Sequence, residues 1–392
     1  MKMKLLMIVG QADDIFIVNM AKWLKKTMDI EIDIIAHTQD KNSQTDDVSY
    51  YHSVDIMSQR FLFDTIPFVR RFTLDWDKNR KLRKLLKGRY YDIIHCHFIA
   101  GMLAGADFLK NHCKKLYFTF WGGETQRSKY WGSNKIFRKK FTNILRKYSD
   151  GIVNGGIGLS KKWSDGDWIP TIYYGSFGSS SIDYLYDMMQ KSTKENAKTY
   201  YNIPVNKVSV QICYSGKPIH RQFEIIECLI KKPELIPYIH IVAPMTRGAD
   251  ATFVEDLENR LKNSGYSYTI IKDRFLTDVE IATLRFAVDV VLQLSIWDGY
   301  SRSIIECLCA GSILIYGDWL NYRLPFQKDG FSGEEVRSID KAVEKLNEYI
   351  KFTDKYKAMI ETNQFVGKTK YRWAECIKDW KAVYEGTANV IS

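Results

Sequence analysis

Short apolar segments alternate with amphipathic segments along this chain of 392 residues, and the alternation restricts the possible folds more than any other feature. The predicted buried strands of the first half are 4–9, 31–36, 91–96, 116–120 and 151–153. Residues 15–26, between the first two strands, carry apolar side chains at helical spacing. Strands that alternate with helices imply a parallel sheet that helices cover on both faces.

The alternation stops at about residues 175–206, a stretch rich in glycine, serine and other polar residues, and then starts again. The second half has predicted strands at 208–213, 240–242, 268–271, 288–294 and 312–316, and predicted helices at 222–230, 253–263, 278–286 and 301–310. The tail from 339 to 385 has the apolar spacing of helices. The sequence therefore predicts an α/β fold with two doubly wound halves, and such sheets bind ligands at the carboxyl ends of their strands.

Composition excludes several classes of protein. A hydrophobic fraction of 45% and an aromatic fraction of 14% suffice for packed cores, so a disordered or fibrous chain is excluded. No apolar run approaches the ~18 residues of a membrane span, and we expect a cytoplasmic protein. The seven cysteines are scattered, as reduced core thiols would be, and indicate neither a disulfide framework nor a zinc site.

The charge balance points to an anionic partner, because 57 basic residues against 46 acidic ones leave a net charge of +11. Two dense basic clusters lie in the first half, at 70–89 and 127–147, and aromatic residues interleave with the second. This composition suits an anionic membrane surface. Nucleic-acid binding would use the same electrostatics, but no nucleic-acid-binding signature accompanies the clusters, so we expect no such partner.

The segment 292–315 carries the most specific chemistry. It predicts a strand, a turn with Asp298 and Gly299, a helix with Glu306, and a helix end at Gly311. Free backbone amides at the helix start can bind an anion, because the helix dipole also favours negative charge there. Glu306 lies in an otherwise apolar helix and requires hydrogen-bond donors, for which two vicinal hydroxyls would be suitable.

This segment resembles the signature of the GT-B glycosyltransferases, particularly the retaining glycosyltransferase family 4. The resemblance implies two Rossmann-like domains that face each other across a cleft. It implies that Glu306 holds the ribose of a donor nucleotide, and that Asp298, in place of the family's usual glutamate, holds hydroxyls of the transferred sugar. The donor-binding residues that it suggests here are Asp298, Gly299, Tyr300, Ser301 and Glu306.

Residues 214–221, directly after the first strand of the second half, resemble the diphosphate-binding segment of the same family with its arginine and lysine exchanged. Two cations at this position would offset the charge that develops on a departing diphosphate. The resemblance therefore implies that Gly216, Lys217 and Arg221 bind the donor.

The first half resembles the family more weakly. Gly10 and Gln11 follow the first strand, in the loop that approaches the donor or the acceptor in this fold. His97 ends a segment that resembles the family's stretch whose second histidine lines the catalytic pocket, where a neutral imidazole could hydrogen-bond a sugar hydroxyl. His97 and Asp298 are therefore the catalytic candidates.

A glycine loop after the predicted strand 116–120 resembles the family's loop beside the acceptor. The acceptor-side candidates are Trp121, Gly122, Gly123 and Glu124. If the reaction inverts configuration, Glu124, Asp13 or Asp14 could act as general base on the acceptor hydroxyl.

Taken together, the resemblance implies a first, acceptor-binding domain at 1–185, completed by a C-terminal helix at about 372–392, and a nucleotide-sugar-binding domain at 186–371. The implied reaction moves a sugar from a nucleotide diphosphate sugar to a glycan or polyprenyl-linked acceptor, with retention and without a metal or other cofactor. We expect it to serve bacterial surface polysaccharide synthesis at the inner face of the cell membrane. A hydrolysing sugar-nucleotide epimerase of the same fold and a non-catalytic, membrane-associated glycan-binding protein remain as alternatives.

Overall fold

A computed structural model describes residues 2–11, 14–38, 52–55, 79–97, 105–120, 135–154, 168–246, 248, 250–272 and 274–390. The chain divides into two compact units, Met1–Gly178 with Trp373–Ser392, and Ser179–Arg372. The first unit was expected to extend to residue 185, but helix Ser180–Lys191 packs against helix Asp278–Ala287 and so belongs to the second unit.

The strands and helices alternate through both units as the sequence predicts. The strands are β1 Met3–Gln11, β2 Ile30–Thr38, β3 His52–Asp55, β4 Tyr91–His97, β5 Cys113–Thr119, β6 Gly151–Asn154, β7 Ile172–Tyr174, β8 Val208–Gln211, β9 Ile239–Pro244, β10 Ser267–Ile271, β11 Val290–Gln293, β12 Ile313–Gly317 and β13 Glu334–Val336. The helices are α1 Ile15–Thr27, α2 79–86, α3 Ala106–Lys110, α4 Lys135–Tyr148, α5 Ser180–Lys191, α6 Lys194–Tyr200, α7 Gln222–Ile230, α8 Ala251–Asn263, α9 Asp278–Ala287, α10 Arg302–Cys309, α11 Arg323–Asp329, α12 Ile339–Lys351, α13 Lys357–Lys370 and α14 Trp373–Glu385.

The first unit contains a parallel sheet in the order β3-β2-β1-β4-β5-β6-β7. Successive side chains of a strand point to opposite faces, so Leu6 and Ile8 of β1 join one buried cluster while Leu5 and Met7 join another. Helices α1 and α14 cover the second of these faces, and Trp380 of α14 is fully buried there. The C-terminal helix therefore completes the core of the first unit.

The second unit contains a parallel sheet in the order β10-β9-β8-β11-β12-β13. Val291 and Leu314 point to one apolar cluster, and their neighbours Val290 and Ile313 point to the other. Each sheet places its first strand next to the strand at which the order reverses, which is the Rossmann arrangement. The prediction of two doubly wound halves is confirmed.

The predicted interruption at 175–206 was wrong in part, because it contains α5 and α6. Ile182, Leu185 and Tyr186 recur at helical spacing and are buried, and the serines at the start of α5 hid this pattern. The three-residue strands β7 and β13 were also missed, since segments this short carry little periodicity.

The described parts of the two basic clusters are helical and exposed. Lys84 and Lys87 are exposed in and after α2, and Arg146 and Lys147 are exposed at the end of α4. Thr142 and Leu145 of α4 are buried, so this helix packs through one side and presents its charge on another. Among the described residues, no helix combines the length and the apolar character that crossing a bilayer requires.

A buried carboxylate ties α6 to the second sheet. Asp289 receives hydrogen bonds from Lys194 Nζ at 2.9 Å and from the Ser209 amide and hydroxyl, each at 2.9 Å. Lys198 Nζ lies 2.6 Å from Oδ2 of Asp289, the oxygen that Ser209 also binds, whereas Lys194 binds Oδ1. Burial raises the pKa of Asp289, but the two lysines and the Ser209 donors outweigh that effect and lower the pKa to about 2.

We predict that Lys198→Met lowers the free energy of unfolding by about 3 kcal/mol, because it leaves a buried carboxylate with one cation fewer. Urea denaturation at neutral pH measures the change. Lys191→Met, an exposed lysine of α5, is the matched control and is expected to change stability by less than about 0.5 kcal/mol.

The loss of stability that Lys198→Met causes should also become smaller as the pH falls. The pKa of Asp289 is lower in the folded chain than its usual ~3.9, so the stabilisation is present above that value and is lost as the pH falls towards 2. A cost of Lys198→Met that stays constant between pH 5 and 3, or that equals the cost of Lys191→Met, would contradict this assignment.

Candidate functional site

The loop between β11 and α10 has the strand, turn and helix that the sequence predicts. Strand β11 ends at Gln293, and α10 begins at Arg302. Gly311 ends the helix with a φ of +86°, where a Cβ atom would lie 2.6 Å from Gln364 Nε2. Asp298 and Gly299 therefore lie in a loop at the carboxyl end of a central strand, which is where parallel sheets bind ligands.

Asp298 is held by three donors. The hydroxyls of Tyr214 and Tyr322 donate to its two oxygens, and the Ser301 amide donates to Oδ2 at 3.0 Å. Burial, and then the charge of Asp298, raises the pKa of Tyr322 well above its usual value, so this hydroxyl keeps its proton. The carboxylate is thus fixed in place, and Asp298 as a whole residue is half-buried.

The expectation of free amides at the start of α10 was wrong for Ser301, whose amide Asp298 already occupies. Gly299 is exposed. Tyr300 has a φ of +64°, and its ring packs against Tyr322 and Phe326 at centroid distances of 5.4 and 5.7 Å. Its side chain therefore contributes to the core.

The carboxylate of Glu306 is almost fully engaged inside the second unit. Its Oε1 accepts hydrogen bonds from the hydroxyls of Ser179 at 2.9 Å and Ser181 at 2.7 Å. Its Oε2 lies 3.3 Å from Nε of Arg285, whose guanidinium also donates to Gln211 at 3.1 Å. The buried glutamate has the hydroxyl donors that its chemistry requires, but they are two serine side chains of the same chain and not the vicinal hydroxyls of a sugar.

The predicted diphosphate-binding residues lie on the loop between β8 and α7. Lys217 is exposed and Gly216 is buried. Arg221 has a φ of +58°, its Nε lies 3.6 Å from Glu224, and its guanidinium lies 5.9 Å from the centre of the Trp319 ring. Both cations follow the carboxyl end of β8, next to β11 in the sheet.

Sequence analysis missed a buried histidine in this loop. His220 bonds through Nε2 to the Ser215 hydroxyl and through Nδ1 to the Ser295 hydroxyl, both at 2.8 Å. Its ring lies 4.2 Å from that of Tyr214, the partner of Asp298. Burial lowers the pKa of His220 to about 4, so the imidazole is neutral. One of its two partners, Ser295, is 75 residues away in sequence, so the sequence gave no local signal for this arrangement.

A pocket of about 700 Å³ was also missed, and it opens at the carboxyl ends of β9 and β10. Its lining includes Gly248, Lys272, Arg274 and the half-exposed ring of Phe275. Gly248 has a φ of +68°, and a Cβ atom there would lie 2.9 Å from Cε of Lys217. Lys217 therefore borders this pocket, whose lining combines cationic, acidic and aromatic side chains.

In the first unit, Gly10 and Gln11 end β1, and His97 ends β4. His97 is fully buried, and burial lowers its pKa to about 3, so the ring is neutral. Asp14 caps α1 by accepting from the Phe16 amide at 3.0 Å, which gives this alternative base a structural role.

The acceptor-side candidates Trp121, Gly122, Gly123 and Glu124, and the alternative base Asp13, lie outside the described residues. Within the part of the chain that the structure describes, no group of three or more His, Cys, Asp or Glu side chains is arranged to hold a metal ion.

Known proteins share this fold. A glycosyltransferase from Rickettsia africae superposes with a TM-score of 0.74 at 15% identity and 98% coverage of both chains. Anabaena HepE in complex with UDP superposes with a TM-score of 0.70 at 12% identity, over 98% of this chain and 100% of HepE. WaaG, a glycosyltransferase involved in lipopolysaccharide biosynthesis, has a TM-score of 0.68 at 10% identity, with 97% and 100% coverage. No curated protein sequence matches the chain.

The two Rossmann-like units and these structural likenesses define the fold as GT-B. Residues 15–154 match the family model of Glycosyltransferase Family 4. The chain is thus similar to GT-B glycosyltransferases in its fold, and to family 4 in this segment, as its sequence signature implied.

We predict that Glu306→Ala lowers the free energy of unfolding by about 3–5 kcal/mol, because it leaves the buried Arg285 without its anion. Urea denaturation measures the change. Glu335→Ala is the matched control, since Glu335 pairs with the exposed Arg323, and it is expected to cost at most about 1 kcal/mol. Equal costs for the two variants would show that Glu306 does not support the fold.

Proposed function

We propose that this protein is a glycosyltransferase that moves a sugar from a nucleotide diphosphate sugar to a glycan or polyprenyl-linked acceptor. The observation that carries the proposal is the grouping of a fixed carboxylate, Asp298, two cations, Lys217 and Arg221, and a pocket at the carboxyl edge of one sheet. Anabaena HepE has been crystallised with UDP and with UDP-glucose, which supports a nucleotide sugar as the donor here.

In this proposal the donor binds the second unit. Lys217 and Arg221 bind the diphosphate, with Gly216 in the same loop, and the pocket beside Lys217 receives the nucleoside. Glu306 binds the ribose. A carboxylate has about four acceptor positions, and two serines and Arg285 use three of them, so a ribose hydroxyl takes the remaining one or replaces a serine.

The sugar and the acceptor complete the proposed site. Asp298 accepts hydrogen bonds from hydroxyls of the transferred sugar, beside Gly299, Tyr300 and Ser301. The tyrosines that hold this carboxylate fix the direction of its free lone pairs. His97 serves the reaction centre as a neutral imidazole, because its pKa of about 3 excludes a charged form at physiological pH.

In the first unit, Gly10 and Gln11 are proposed to contact the donor. The residues proposed to contact the acceptor are Trp121, Gly122, Gly123 and Glu124.

We propose a reaction that retains configuration and requires no metal or other cofactor. The bond between the anomeric carbon and the diphosphate breaks, and the acceptor oxygen bonds to that carbon on the same face. The acceptor proton passes to the departing diphosphate oxygen. Lys217 and Arg221 offset the negative charge that develops there, and preorganised charges of this kind usually contribute the largest share of catalysis.

We propose bacterial surface polysaccharide synthesis at the inner face of the cell membrane as the setting. Exposed basic residues of α4 support an anionic membrane surface as a partner, since each contributes about 1 kcal/mol near such a surface. WaaG, which shares the fold, is involved in lipopolysaccharide biosynthesis. We expect no nucleic-acid partner.

Turnover of a panel of nucleotide sugars, with and without a bacterial membrane lipid extract, tests the proposal. A glycosyltransferase of this kind is expected to release nucleoside diphosphate faster with the extract and to label a lipid product. Release that the extract does not change, with an altered free sugar, would instead identify a hydrolysing epimerase. An absence of turnover and binding for every donor would contradict the proposal.

We predict that Lys217→Ala weakens UDP binding about tenfold, because it removes one charge-assisted hydrogen bond to the diphosphate. Isothermal titration calorimetry measures the dissociation constant. The matched control is Lys231→Ala, an exposed lysine of the same unit at the far end of α7, which is expected to leave the constant unchanged. If both variants bind UDP as the unaltered protein does, Lys217 is not a diphosphate ligand.

A further inference from the structure

Strand β4 ends in two histidines whose side chains share one face of the first sheet. His95 and His97 are two residues apart, so their rings lie side by side, and both are fully buried. The ring centroids are 4.3 Å apart with an angle of 26° between the planes. The face of His95 therefore supports the ring of His97.

Hydrogen bonds fix the His95 ring at both nitrogens. Nε2 lies 2.8 Å from the Thr119 hydroxyl, and that hydroxyl donates its own proton to the Val153 carbonyl at 2.8 Å. Thr119 must therefore accept from His95, which places the His95 proton on Nε2. Nδ1 is then an acceptor, and it receives the Tyr384 hydroxyl proton at 2.7 Å. Burial, with the neighbouring His97, holds the pKa of His95 well below its usual range, which agrees with a neutral ring.

The donor to His95 comes from the C-terminal helix α14, which returns to the first unit. Trp380 and Tyr384 are one turn apart on the same face of this helix. The Trp380 ring lies 5.6 Å from His95 and 6.1 Å from His97, and its Nε1 donates to the Ser176 carbonyl at 2.8 Å. Phe177 adds a ring 6.1 Å from His97.

We propose that His95 and Tyr384 are positioning residues for His97. Thr119 fixes the tautomer of His95, and the Tyr384 hydroxyl, which donates to Nδ1, fixes the plane of its ring. The His95 ring in turn fixes the plane of His97. Since both nitrogens of His95 bond to residues of the unit itself, His95 exchanges no proton with substrate and acts only through its ring. The inference rests on the proposed function in one respect, which is that His97 serves the reaction centre.

The test compares Tyr384→Phe with Tyr117→Phe. Both remove one hydroxyl from a buried ring that contacts His95, and the Tyr117 ring lies 6.1 Å from it without the Nδ1 hydrogen bond. Histidine labelled with ring nitrogen-15 reports the tautomers by NMR, and loss of signals in His95→Gln and His97→Gln assigns them. Urea denaturation of each variant confirms that it is folded.

In the unaltered protein we expect His95 to carry its proton on Nε2. Tyr384→Phe should shift the ring nitrogens of both histidines and lower kcat about fivefold or more, with the donor KM within about twofold. Tyr117→Phe should leave the ring nitrogens and kcat nearly unchanged.

A proton on Nδ1 of His95, unshifted His97 nitrogens in Tyr384→Phe, or a loss in KM rather than kcat would each overturn the proposal. If the unaltered protein turns over no donor, the proposed function fails, and the response of the His97 nitrogens still decides whether Tyr384 positions that ring.

Discussion

Burial of both faces of a parallel sheet is the constraint on which the rest of this structure depends. A central strand has to be largely apolar on both sides, as β1 is with Leu5 and Met7 on one face and Leu6 and Ile8 on the other. Polar groups are then confined to strand ends, loops and the few buried positions that can be fully hydrogen-bonded. Residues of the proposed site consequently lie at or after the carboxyl ends of β4, β8 and β11.

The same constraint explains the course of the C-terminal segment. One face of the first sheet is covered by α1 and α14, and the latter arrives after the whole second unit has been completed. Its fully buried Trp373 and Trp380 make it part of the first core. Tyr384 on the same helix contacts the histidine pair of β4, so the segment that closes the core also orders the residues at the strand end.

The residues of the sequence signature have structural roles in the second unit. Glu306 neutralises the buried Arg285 and binds Ser179 and Ser181, which begin the second unit. Asp298 joins the loop after β8 to the segment before α11 through two tyrosines. Any change of activity on replacing either carboxylate would therefore include an effect on the fold, which has to be measured separately.

Local periodicity predicted the fold well because packing on both faces imposes it residue by residue. Helix α7 has the predicted bounds, 222–230, and the helix end at Gly311 is where the positive φ requires a glycine. The positions of Asp298 and Glu306 in the sequence motif could likewise be identified from the sequence alone.

The hydrogen-bond partners of Asp298 and Glu306 could not be identified from the sequence. Tyr214 is 84 residues from Asp298, and Ser179 is 127 residues from Glu306, so only the folded chain brings these donors to the carboxylates. His220 and the pocket bordered by Lys217 were missed for the same reason. The serines before and within α5 resembled a linker in sequence, whereas two of them are ligands of a buried charge.

A crystal structure of the protein with UDP tests the central claim most directly, because it locates the diphosphate. The account predicts diphosphate oxygens within hydrogen-bond distance of the Lys217 and Arg221 side chains, with the nucleoside in the adjoining pocket. A diphosphate that contacts neither cation, or a nucleotide bound only to the first unit, would contradict it.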